Sequence, residues 1–122
     1  MKTLARLGQV ILYVSEMKRS VEFYQDRLGL PVTYPGPAAN LDEAHWVTLD
    51  AGGFSLALHS GGTPNRDTLA PAVVFLVENL DKAYEDVMVH GVKLSEIAEP
   101  HPGTRLCHGT DPDGHTYFIK QA

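Results

Sequence analysis

The chain has 122 residues, 43% of them hydrophobic and 20% charged, which suits a globular domain with one sizeable core rather than a disordered segment. A formal net charge of -5 without any basic cluster argues against binding nucleic acid through its phosphates, and no apolar run approaches the ~20 residues that span a bilayer. One cysteine, Cys107, excludes an internal disulfide, and the start lacks a signal peptide's apolar stretch, so a cytoplasmic location is expected.

Val10-Ile11-Leu12-Tyr13-Val14 is a short apolar, β-branched run and predicts a strand. Ser15 then offers a helix cap. Met17, Val21, Tyr24 and Leu28 recur at helical spacing, and Gly29 and Pro31 stop the helix. A second strand is expected over Leu30 to Tyr34, and a loop from Pro35 to Ala44. Ala44 to Leu49 and Phe54 to His59 predict two strands around the turn Asp50-Ala51-Gly52-Gly53. The Gly- and Pro-containing stretch from Ser60 to Asp67 marks a boundary.

The second half repeats the first. Val73 to Val77 predicts a strand. Asn79 caps a helix striped by Leu80, Ala83, Val87 and Met88, and Gly91 ends it. Val92-Lys93-Leu94 begins a strand, Glu99 to Gly103 forms a loop, and Arg105 to Thr110 and His115 to Lys120 form a hairpin around Asp111-Pro112-Asp113-Gly114. Cap, helix stop and turn recur in the same order, so the chain reads as an internal repeat. Strands outnumber helices, so a doubly wound parallel sheet is a poor fit. The expected fold is α+β: two βαβββ modules forming curved mixed sheets around a cleft. Module one covers about residues 1–60, a linker about 60–70 and module two about 71–122.

Val14-Ser15-Glu16-Met17-Lys18-Arg19-Ser20-Val21-Glu22-Phe23-Tyr24, running into Leu28-Gly29-Leu30, resembles the first helix of the vicinal oxygen chelate superfamily of glyoxalases, bleomycin-resistance proteins and extradiol dioxygenases. Asp111-Pro112-Asp113-Gly114 before the last strand resembles its second signature. Metal-dependent members place a His, Gln or Glu on four strands, and the resemblance maps those positions to Gln9, Ala57, Ala72 and Phe118. Three of these four side chains have no donor atom, so the expected metal set is none and no cofactor is expected.

Strand alternation puts Ser55, Ala57 and His59 on one face and Phe54, Leu56 and Leu58 on the other. The ligand-facing candidates are therefore Gln9, Tyr13, Ala57, His59 and Phe118. Trp46 joins them unless His45 and Val47 face the cleft instead. His108 matches a ligand-contacting position of the resistance proteins, yet a plain two-residue hairpin turns Cys107 toward Phe118, so a bulge is required. His59 and His108 are also the catalytic candidates, as general bases. Two functions follow from the resemblance. The first is a metal-independent protein that binds a small organic molecule, as in antibiotic sequestration. The second is a glyoxalase- or dioxygenase-type enzyme with an atypical metal site or a His base. A homodimer is expected, also on general grounds.

Overall fold

A computed structural model of the chain describes residues 7–63 and 70–122. They fall into two compact units, the first ending at Thr63 and the second running to Ala122. Residues 64–69 of the expected linker lie outside the described residues.

The first unit holds β1 (Gln9–Val14), α1 (Met17–Val21), β2 (Val32–Tyr34), β3 (Trp46–Asp50) and β4 (Ser55–Ser60). Its sheet has the order β1-β4-β3-β2, with β1 and β4 parallel and the other neighbours antiparallel. Period-two alternation sorts the side chains. Leu56 and Leu58 of β4 and Val47 and Leu49 of β3 are fully buried on one face, where Met17 and Val21 of α1 are buried as well. Residues of the opposite face, such as Ile11 and Tyr13, remain exposed.

The helix departs from a plain α-helical stripe. After Val21 it continues as a π-helix over Glu22–Arg27, with the Leu28 N–H donating to the Phe23 carbonyl, five residues back, at 3.1 Å. The wider turn brings the adjacent Phe23 and Tyr24 both into the core, edge to face at 5.2 Å, and leaves Leu28 only half-buried. Ser15 does not cap it. Glu16 takes that position without a side-chain bond, and the Ser15 hydroxyl accepts from the Arg19 guanidinium at 3.1 Å.

The second unit holds β5 (Val73–Val77), α2 (Leu80–Val89), β6 (Ala98–His101), β7 (Thr104–Thr110) and β8 (Thr116–Gln121), in the sheet order β5-β8-β7-β6. The strand pairings repeat those of the first unit. Asn79 caps α2 through its side-chain oxygen, which accepts the Lys82 N–H at 3.1 Å. Gln121 reinforces that end: its Oε1 accepts the Leu80 N–H at 2.9 Å and its amide donates to the Glu78 carbonyl. Gly29 and Gly91 close the two helices at the same φ of 82°.

Three expectations need correction here. Met88 is exposed rather than part of the buried stripe. Val92 to Leu94 is not a strand, because Val92 tucks into the core and the following segment pairs through Ser95. The Ser95 N–H donates to the His108 carbonyl and its hydroxyl accepts the His108 N–H, both at 2.9 Å. The strand falls on Ala98–His101 instead, where a loop was expected, and Pro100 is tolerated because β6 lies at the sheet edge.

Tyr117, 1% exposed, is packed beneath Gly109. Burial, with the neighbouring Cys107 and Asp111, pushes its phenol up to about 12. An unfolded tyrosine ionises near ~10. Below that pH both states are neutral and nothing is lost. Above it the unfolded chain sheds a proton that the folded chain keeps, so stability falls as pH rises from 10 to 12. Denaturant melts across that window should show a decline that is shallower in Tyr117→Phe.

Candidate functional site

Pairing register assembles the candidate residues of the first unit. Tyr13 of β1 lies opposite His59 of β4, and His59 opposite Trp46 of β3. Three ring side chains thus form one row across three adjacent strands. Ring centroids are 5.1 Å apart for Tyr13 and His59 and 6.0 Å apart for Trp46 and His59, the latter edge to face. Tyr13 is 54% exposed, and His59 and Trp46 are half-buried. The next row on the same face is Ile11, Ala57 and Thr48, followed by Gln9, Ser55 and Asp50. The sequence left the facing of Trp46 open, and the register puts it with His59. Ala57 is fully buried among its neighbours, so the face presents little of it.

His59 is held at one nitrogen. Its Nδ1 lies 2.6 Å from the Ser60 carbonyl oxygen. A carbonyl only accepts, so Nδ1 carries the proton, and in the tautomer with a single proton Nε2 is the acceptor. Among the described residues no group hydrogen-bonds to Nε2. Sequence reasoning missed Ser60, and no sequence signal marks it, because its backbone rather than its side chain sets the tautomer.

In the second unit, His108 lies opposite Phe118, and Phe118 opposite Val74. His108 and Phe118 have ring centroids 5.8 Å apart. The required shift comes from the connection, not from a bulge within the strand. Thr110 pairs with Thr116, leaving a five-residue loop instead of a two-residue turn. Within it the Asp111 carboxylate accepts the N–H groups of Asp113 and His115, both at 2.9 Å. Cys107 is thereby turned to the buried face, where burial pushes its thiol up.

The positions that the resemblance maps to metal ligands carry Gln9, Ala57, Ala72 and Phe118, and three of these side chains have no donor atom to offer a divalent ion. Ala57 sits between Ile11 and Thr48, and Phe118 between Val74 and His108, so of these six side chains only the His108 imidazole is a common metal ligand. Among the described residues, no three His, Cys, Asp or Glu side chains gather in a way that would hold a metal. No described helix is long and apolar enough to cross a membrane.

A groove of ≈ 570 Å³ lies beside the start of α1, lined in part by Arg19, Asp42, His45 and Ser60. His45 Nδ1 and Ser60 Oγ are 3.0 Å apart there. His45 and Ser60 alternate with Trp46 and His59 along their strands, so the groove and the ring row belong to opposite faces of the sheet.

Comparison with known proteins places these features in a family. The sequence matches the family described as Glyoxalase/Bleomycin resistance protein/Dioxygenase superfamily over residues 6–117. It is 32% identical to YraH of Bacillus subtilis (strain 168), described as an uncharacterized protein, over 88% of this chain and 91% of that one. The fold is similar to a lactoylglutathione lyase from Agrobacterium tumefaciens, at TM-score 0.76, 16% identity, and coverage of 99% of this chain and 96% of that one. It is also similar to TnmS3, an antibiotic binding protein from Streptomyces sp. CB03234, at TM-score 0.75, 17% identity, and coverage of 99% and 98%.

Proposed function

The chain belongs to the Glyoxalase/Bleomycin resistance protein/Dioxygenase superfamily, and from that premise we propose that it binds a small organic molecule without a metal ion. The observation that carries this reading is the replacement of donors by Ala57 and Phe118 on sheet faces that present aromatic rings instead. Rings offer large apolar area with a few polar edges, which is the make-up of a ligand site. The Tyr13, His59 and Trp46 row is the main contact surface, with Gln9 at the far end of the same face. His108 and Phe118 supply a second patch. Antibiotic sequestration is the use we favour, because TnmS3, which has this fold, is an antibiotic binding protein. The protein acts in the cytoplasm as a homodimer. Val74 and Leu76, 47% and 66% exposed, are apolar surface of the kind a second copy covers.

Native mass spectrometry of the purified protein, combined with elemental analysis, reads metal, carried-over ligand and oligomer together. We expect a dimer mass, sub-stoichiometric metal, and ligand binding that EDTA leaves unchanged. A stoichiometric divalent ion whose removal abolishes binding would overturn the reading. So would turnover of the bound molecule by the wild type that is lost in His59→Ala and His108→Ala.

A further inference from the structure

We propose that the row formed by Tyr13, His59 and Trp46 selects rigid aromatic molecules that carry a hydrogen-bond donor on the ring edge, a phenol O–H or a heteroaromatic N–H. This rests on the binding reading above and adds the ligand's chemical class.

The first part of the selection is shape. Three ring side chains stand side by side on neighbouring strands, with centroids 5.1 and 6.0 Å apart. Cross-strand neighbours on a sheet are held at nearly fixed spacing, so the rings form a fixed, notched aromatic surface, with Tyr13 tilted 45° and Trp46 turned 85° to the His59 ring. A rigid aromatic molecule covers such a surface with little loss of conformational freedom, whereas a flexible aliphatic chain must be ordered first.

The second part is polarity. The central ring is His59, and its Nδ1–H is committed to the Ser60 carbonyl at 2.6 Å. In the neutral ring this leaves Nε2 as an acceptor within an aromatic surface. A ligand covering the row removes water from that nitrogen. If the ligand brings a donor, the acceptor is satisfied. If the donor is methylated, the acceptor is left desolvated and unpaired, and the discrimination is much larger than an apolar contact alone provides. In the next row Ala57 and Ile11 carry no side-chain donor, and the Thr48 hydroxyl is paired with the Thr33 hydroxyl at 2.9 Å. The Ser60 carbonyl is therefore the positioning element, and His59 the specificity-determining residue.

Two probes separate the parts: 2-naphthol, which has a phenolic donor, and 2-methoxynaphthalene, in which it is blocked. Isothermal titration of the full chain is expected to show 2-naphthol binding at least about tenfold tighter. His59→Phe keeps a planar ring and removes the acceptor, so the two probes should bind it equally. On the wild type, the ¹⁵N resonance of His59 Nε2 should move upfield with 2-naphthol and not with 2-methoxynaphthalene, a readout that does not depend on how the variant folds. Equal affinities in the wild type, a preference that survives in His59→Phe, or an Nε2 resonance unmoved by 2-naphthol would each overturn the proposed selection while leaving the binding face intact. Failure of both probes to bind the wild type would overturn the selection, and with it the ring row as a binding face.

Discussion

Gly62→Ala is expected to lower stability by about 3 kcal/mol, about 10 °C in Tm. Gly62 lies against the backbone of β1, with its N–H donating to the Val14 carbonyl at 3.0 Å. A Cβ built there meets the Tyr13 carbonyl carbon at 2.5 Å, its oxygen at 2.6 Å and the Val14 nitrogen at 2.7 Å. These are backbone atoms of a strand paired along its length with β4, so no side chain can swing aside. Either β1 shifts, which disturbs the pairing of Tyr13 with His59, or the hydrogen bond to Val14 breaks. Gly8→Ala is the control, because a Cβ there meets nothing within 4 Å. Thermal denaturation of the two variants checks the expectation. A Gly62→Ala protein that melts with the wild type would contradict the close approach.

Asp111→Ala is expected to have a similar cost, about 3 kcal/mol, for a different reason. The Asp111 carboxylate accepts two loop N–H groups at 2.9 Å, from Asp113, which is fully buried, and from His115. Alanine leaves both donors without that partner, and a buried donor without one costs roughly 1–3 kcal/mol. Asp111→Asn retains an acceptor oxygen and should recover most of the loss. The loop also sets the register of β7 against β8, and a slip of one residue exchanges the faces of every side chain on the strand. In the native register His108 pairs with Phe118 and Cys107 is buried. Thiol labelling of Cys107 should therefore be slow in the wild type and clearly faster in Asp111→Ala. Unchanged labelling and an unchanged denaturation midpoint would show that the loop does not depend on this carboxylate.

Much of the fold was legible because it rests on local signals. The apolar run from Val73 to Val77 is the strand β5 to the residue, and Asn79 caps α2 as its side chain predicts. Alternation along β4 correctly separated buried Leu56 and Leu58 from His59. The failures have physical causes. A π-helix shares most of an α-helix's apolar spacing, so the burial of Phe23 beside Tyr24 left no trace in the period. The edge strand β6 carries Glu99, Pro100 and His101, a composition that reads as loop, and forms because β7 offers it a partner.

The sequence by itself determined the doubled βαβββ unit, the family, and the side-chain chemistry of Ala57 and Phe118, the positions that the resemblance maps to metal ligands. These follow from residue types and their spacing along the chain. Only the tertiary structure decided which side chains meet. Tyr13, Trp46 and His59 come from three strands, and their row depends on pairing register. The facing of His108 depends on a one-residue shift in the register of β7 on β8, and the acceptor on His59 depends on a backbone carbonyl at Ser60. Register and backbone hydrogen bonds are relations between segments, and every residue carries the same peptide group, so no residue type announces them.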